Sequence, residues 1–268
     1  MLVTFLILFR ESLEAFLLVG ILIVYLRRLG GQKYVKWIYL GVIAGLIGSF
    51  VAAFILQVVV DQFSNEFYRS MLSAGIMVLA TCILTYMAIW MQKQAKAHTE
   101  HAKEQLESYM TAGNVLGVVM LAFVSVWREG IETVLFLSAL AYTGEPVSAP
   151  GALLGMVAAI LLIWILMTGT RKVPLHLFFR YTSLLLIVIA AGLLGSAVNM
   201  LQSAHIVPPT AVLFDISNIL PDTSGIGVFL RGLFGYNASP TLPQFALWAI
   251  YLIVAIGFWR RSYAAKAR

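Results

Sequence analysis

Apolar residues run along this chain in seven blocks, near 2–26, 37–60, 70–92, 115–142, 151–170, 180–202 and 243–260, with short polar connections between most of them. About 20 helical residues cross a bilayer core of roughly 30 Å, so every block is long enough to span a membrane. Two connections are long. The polar stretch 93–114 carries His98, Thr99, Glu100 and His101 followed by Lys103, Glu104 and Glu107, and predicts a helical extension of the third span. The stretch 203–242 is broken by Pro208, Pro209, Pro221, Gly225, Gly227, Gly232 and Gly235. A connection of that length is usually functional or faces a partner.

Two of the blocks are interrupted by charge. The first holds Arg10, Glu11 and Glu14, and the fourth holds Arg128, Glu129 and Glu132, so the arrangement R-E-x-x-E occurs twice. On a helix of 3.6 residues per turn the three ionisable side chains of each motif share one face, while Leu13 and Ile131 point the other way. A single charge at the bilayer centre costs roughly 2.5–3.5 kcal/mol on insertion scales, so none of the six is expected to face lipid. They should converge on each other or on a wet cavity between the two helices, and intramembrane charges of this kind mark substrate or ion paths.

Composition agrees with the spans. Of 268 residues, 61% are hydrophobic and 11% charged, and the mean hydropathy is +0.91, which is a polytopic membrane protein rather than a soluble domain. The net charge of +6 does not indicate a nucleic-acid partner, because the basic residues sit in short connections beside the spans. Arg27, Arg28, Lys33 and Lys36, then Lys93, Lys96 and Lys103, then Arg171, Lys172 and Arg180, then Arg260, Arg261, Lys266 and Arg268 fall on one side, whereas the other side has only Arg69 and Arg231. The positive-inside rule then predicts a multi-pass plasma-membrane protein with its N-terminus outside and its C-terminus in the cytoplasm. The first block lacks a basic leader and a small-residue cleavage site, so it is expected to be a retained span. Trp37, Trp90, Trp248 and Trp259 near span ends are expected interface anchors.

The spans also repeat. Gly41 and Gly45 open the second block as Gly151 and Gly155 open the fifth, and Phe67-Tyr68-Arg69 precedes the third as Phe178-Phe179-Arg180 precedes the sixth. The expected fold is all-α: a three-helix repeat over 1–92, a cytoplasmic loop over 93–114, a second and inverted three-helix repeat over 115–202, an extracytoplasmic loop over 203–242, and a seventh helix with the cytoplasmic tail over 243–268. Inverted repeats put substrate sites near the midplane at the repeat interface, and Glu11 lies about 14 Å into its span at 1.5 Å per residue.

Four Glu against two Arg leave two uncompensated negative charges. Buried, that surplus is costly unless a cation or protons neutralise it. Oxygen donors suit a hard cation, and the lack of thiolate or imidazole in the motifs argues against copper(I) or zinc. A buried salt-bridge network that fixes helix register is the structural alternative. Metal binding to carboxylates releases protons, which gives a natural coupling. Thr81 and Thr85 on the third span and Ser196 and Asn199 on the sixth are candidate path-lining residues, with bonding back to helix carbonyls as the plainer alternative. Met87 and Met91 suit apolar filling better than a soft-metal relay, and His98 and His101 suit a solvated loop better than an ion acceptor. With one cysteine, Cys82, and no His inside a span, neither a disulfide framework nor a bis-His haem is supported.

At these residues the chain resembles the iron permease family of fungal high-affinity iron permeases and bacterial EfeU-type permeases. The likeness rests on Arg10-Glu11-Ser12-Leu13-Glu14-Ala15, Arg128-Glu129-Gly130-Ile131-Glu132, the seven spans and the run Gly232-Leu233-Phe234-Gly235-Tyr236, with serine at position 12 in place of the commoner glycine. It implies a transporter and not an enzyme. Ferrous or ferric iron would be the substrate, with no cofactor; Glu11, Glu14, Glu129 and Glu132 would bind it, and Arg10 and Arg128 would be motif partners. It also implies extracytoplasmic proteins that bind or oxidise iron, docking on 203–242. A homo-oligomer is compatible with the sequence. The alternatives are a transporter of another divalent cation such as manganese and an intramembrane oxidoreductase subunit.

Overall fold

Each apolar block folds as one helix. The computed structural model describes residues 1–62, 65–144, 146–168, 175–208, 210–222 and 224–264, with side chains at those positions other than 90–99, 167–168, 175–179, 233 and 263–264. The side chains of Trp90, Met91, Lys93, Lys96, His98, His176, Phe178, Phe179 and Leu233, and all of Pro209, Arg171, Lys172, Lys266 and Arg268, lie outside the described residues. The long helices are α1 (Leu2–Arg28), α2 (Val35–Asp61), α3 (Glu66–Thr111), α4 (Val115–Tyr142), α5 (Ala149–Thr168) and α6 (Leu175–Ser203). A short helix, α7 (Gly225–Phe234), and a last long one, α8 (Leu242–Ala264), complete the order.

Segments of five helices, Gln32–Asp61, Glu66–Ile89, Ala149–Leu166, Arg180–Ser203 and Leu242–Ser262, are long and apolar enough to cross a membrane. The protein is thus an all-helical, membrane-embedded chain. Helices α1 and α4 match those five in length, and each is interrupted by its R-E-x-x-E motif.

Several starts are set by local side chains. Asn65 accepts from the Phe67 N–H at 2.9 Å to open α3, and Asn114 accepts from Gly117 N–H at 2.9 Å to open α4. Helix α3 continues without a break through the polar stretch to Thr111. Its Ala102 and Leu106 are buried with Leu22, Leu26, Ile38 and Val118, so this extension packs across the Arg28 end of α1 and the starts of α2 and α4.

The main helix pairs are α1 with α5, α2 with α4, and α3 with α6, and α8 lies on α6. Small residues make two of these contacts close. A Cβ on Gly151 would sit 2.5 Å from the carbonyl oxygen of Met1, just before α1, and one on Gly155 would sit 2.6 Å from that of Phe5 within α1. On α2, Gly41 meets the Val119 carbonyl of α4 in the same way, and a Cβ on Gly45 would lie 3.0 Å from the Phe123 oxygen. Lipid tails are as apolar as leucine, so backbone contact of this kind rather than a hydrophobic drive holds such helices together.

The expectation for 203–242 needs one revision. Its Gly225, Gly227 and Gly232 do not break the chain but sit within or at the start of α7. Ser224 caps that helix by accepting from Gly227 N–H at 3.0 Å, and Gly235 ends it in the left-handed region at φ 67°. Helix α7 packs on α6, where Gly192 faces Gly235 with no side chain between them. The Trp248 indole N–H donates to the Phe234 carbonyl at 2.9 Å, which ties α8 to the end of α7. Trp259 is buried at 9% exposure, with the Arg180 guanidinium 5.8 Å from its ring centre.

Candidate metal centre

The two R-E-x-x-E motifs meet between α1 and α4. Within α1, Arg10 Nη1 donates to Glu11 Oε1 at 2.6 Å and Arg10 Nη2 lies 2.9 Å from Glu14 Oε1. Within α4, Arg128 Nε donates to Glu132 Oε1 at 3.0 Å and lies 3.8 Å from Glu129 Oε1. The Arg10–Glu14 and Arg128–Glu132 pairs follow from helical spacing, since i and i+4 residues stack one turn apart, whereas Glu11 and Glu129 are chain neighbours that the long arginine side chains turn to reach. The tertiary step brings the two sets together: one carboxylate oxygen each from Glu11, Glu14 and Glu129 lie within 4.8 Å of one another.

The two halves differ in exposure. The Arg10 and Glu11 side chains are 4% and 2% exposed, while Arg128 is 44% exposed beside Glu129 and Glu132 at 13% and 12%. One arginine is therefore locked inside the cluster and the other sits at its open edge. Glu11 Oε2, Glu129 Oε2 and Glu132 Oε2 are buried with no hydrogen-bond partner among the described residues. Buried carboxylate oxygens left without donors are costly, and a hard cation is the group that would satisfy several at once.

The other candidates lie elsewhere. The Thr81 hydroxyl donates to the Met77 carbonyl at 2.9 Å and reaches that of Ala190 on α6 at 3.2 Å. The Thr85 hydroxyl donates to the Thr81 carbonyl at 2.6 Å and takes the Tyr251 hydroxyl at 2.6 Å, so both threonines are committed to helix and interhelix contacts. Ser196 and Asn199 line a polar cavity at the Ser203 end of α6, together with Ser70, Tyr142 and Arg231. His101 lies on the α3 extension beside Glu104 and Gln105, away from both motifs.

Met87 is apolar filling at 2% exposure, as its span suggested, but its sulfur lies 3.8 Å from Arg10 Nη1, so it also lies against the cluster from α3. No residue pattern distinguishes it from the other apolar positions of that span. Phe136, one turn past Glu132, is 1% exposed in the large core cluster.

A family model described as the iron permease FTR1 family matches residues 1–263. A protein of Yersinia pestis named ferrous iron permease EfeU is 34% identical over 260 residues, 96% of this chain and 92% of the relative. The protein of the same name from Escherichia coli O6:K15:H31 is 32% identical over 260 residues, 96% of this chain and 94% of the relative. No solved structure matches the chain. Matched by its model almost end to end, the chain belongs to the iron permease FTR1 family, and its work is iron transport across a membrane.

Proposed function

We propose that this protein carries ferrous iron through the plasma membrane into the cytoplasm by binding it between α1 and α4 on Glu11, Glu14, Glu129 and Glu132. The observation that carries the reading is the approach of Glu11, Glu14 and Glu129 oxygens to within 4.8 Å across two helices far apart in sequence. Orphaned oxygens on Glu11, Glu129 and Glu132 support it. Arg10 and Arg128 hold the carboxylates in place and keep the empty site from carrying four unopposed charges. The surplus of two negative charges is balanced by one divalent ion, and the relatives from Yersinia and Escherichia are named for the ferrous form.

The architecture belonging to this reading is seven spans, α1 to α6 and α8, built as two inverted three-helix repeats plus one. Exchanging α1 with α4 and α2 with α5 turns the α1–α5 contact into the α4–α2 contact, and Gly151 and Gly155 then stand where Gly41 and Gly45 stand. The α3–α6 contact maps onto itself. Such symmetry supports alternating access, in which one repeat rocks against the other around a central ion site. The basic connections support an N-terminus outside and a C-terminus in the cytoplasm. Thr81, Thr85, Ser196 and Asn199 are second-rank contributors along the path, and 203–242 is the docking side for extracytoplasmic iron-binding or iron-oxidising proteins.

The test is uptake of radiolabelled iron into proteoliposomes, with ferrous and ferric iron compared and manganese as competitor. Glu→Gln at position 11, 14, 129 or 132 should each lower ferrous uptake at least tenfold while the protein still inserts and folds. Wild-type uptake in all four variants would remove the site assignment. Faster transport of ferric iron or manganese would remove the choice of ion but leave the site.

A further inference from the structure

A polar cavity of about 190 Å³ lies where the Ser203 end of α6 meets the start of α3, the end of α4 and the α7 connection. No motif carboxylate lines it. Tyr142, in its wall, lies about 15 Å along α4 from Glu132 at 1.5 Å per residue. Its wall also holds Arg231 of α7, which is half-buried and makes no ion pair or hydrogen bond among the described residues.

The other polar groups of the wall divide into spent and unspent. Asp222 accepts from the Ala238 N–H at 2.8 Å, the Tyr236 hydroxyl donates to the Leu220 carbonyl at 2.8 Å, and the Thr143 hydroxyl donates to the Leu140 carbonyl at 2.7 Å. The Asn237 amide donates to Gln244 at 2.9 Å. These hold the loop and the helix ends. The hydroxyls of Ser70, Tyr142 and Ser196 and the amide of Asn199 make no side-chain hydrogen bond among the described residues.

What remains open in the cavity is one cation, Arg231, among neutral groups that can donate; Asp222, also in the wall, makes no ion pair with it among the described residues. A half-buried guanidinium that no carboxylate pairs is costly, and a planar carboxylate matches its fork with two parallel hydrogen bonds. A phosphate dianion suits the cavity less well, because both its charges sit on one centre that would enter beside Asp222, whereas a polycarboxylate or a glutamate can put a single charged group inside. The geometry points to a carboxylate-binding site in this cavity, with Arg231 as the anchoring cation and Ser70, Tyr142, Ser196 and Asn199 as neutral donors around it. Two sources offer that group: a free small polycarboxylate, or a glutamate side chain on a peptide that enters the mouth. Either would hold an acidic carrier of the ion beside the membrane path without touching the motif carboxylates.

The experiment is calorimetric titration of the full chain in lipid nanodiscs, in metal-free buffer, with citrate, a short Glu-containing peptide and inorganic phosphate as separate arms. Because no iron is present, its outcome is independent of the iron-site assignment. Citrate, the peptide or both should bind, and Arg231→Gln should weaken that binding at least tenfold while Glu129→Gln leaves it unchanged. The arm that binds identifies the source. If Arg231→Gln fails to fold, Tyr142→Phe and Asn199→Leu should each weaken binding severalfold. Binding of neither carboxylate, binding of phosphate alone, or carboxylate binding unaltered in Arg231→Gln or in both fallback variants overturns the proposal.

Discussion

Arg10 on α1 reaches the sulfur of Met87 on α3 at 3.8 Å while holding Glu11 at 2.6 Å. The thioether is thus a soft, weakly accepting wall behind the guanidinium, and it fills core space rather than forming a stepping stone for the ion. Met87→Leu keeps volume and loses only the sulfur, and such swaps usually cost less than about 1.5 kcal/mol. Iron uptake into proteoliposomes should stay within about twofold of wild type. A tenfold fall with folding intact would mean that the sulfur handles the ion.

Arg10 and Arg128 are chemically equivalent in the sequence and unequal in the fold, with side-chain exposures of 4% and 44%. Breaking a buried ion pair by removing one partner costs about 3–5 kcal/mol, because the other charge is left without compensation. An edge arginine loses less, since solvent screens the change. Arg10→Gln should therefore lower the thermal unfolding midpoint in detergent clearly more than Arg128→Gln does. Equal or reversed shifts would show that the two halves of the cluster are equally enclosed.

Metal binding should release protons. Glu11, Glu14 and Glu129 bring carboxylate oxygens within 4.8 Å of one another, and ionised oxygens ligate far better than protonated ones. Protons compete with the ion, so the apparent dissociation constant for ferrous iron should rise as pH falls from 7.5 to 5.5. Adding ferrous iron to weakly buffered protein should acidify the solution, and Glu129→Gln should reduce that acidification. Affinity and proton count that ignore pH would mean that the site stays fully ionised without metal.

The long helices were legible in the sequence as apolar blocks, and the α1–α4 meeting was legible because six charges in lipid have nowhere else to go. The close approaches of Gly41, Gly45, Gly151 and Gly155 were signalled as small residues, but their partner helices were not, since spacing on one helix carries no information about the facing backbone. The unequal exposure of Arg10 and Arg128 was invisible for the same reason: the motifs are nearly identical, and only tertiary packing separates them. For Thr81 and Thr85 the shared helix face was legible, but not that its hydroxyls turn toward α6 and α8. Helix α7 was hidden by its glycines, although Ser224 before it and Gly235 after it are a helix start and stop.

Those glycines give the last prediction. A Cβ on Gly192 of α6 would lie 2.7 Å from both the Cα and the N of Gly235, which are backbone atoms and cannot rotate away. Gly192→Ala should therefore push α7 off α6, and overpacking of this kind costs about 1–3 kcal/mol. The strain is local, so the consequence should be local as well: faster amide hydrogen exchange over 225–240, with α1, α4 and α5 unchanged. The Trp248 indole, hydrogen-bonded to the Phe234 carbonyl, would lose its partner in the same step. Gly257 on α8 has nothing within 4 Å of its Cβ position, so Gly257→Ala is the matched control and should leave exchange as in wild type. Identical exchange in both variants would show that α7 is not seated on α6 through this contact.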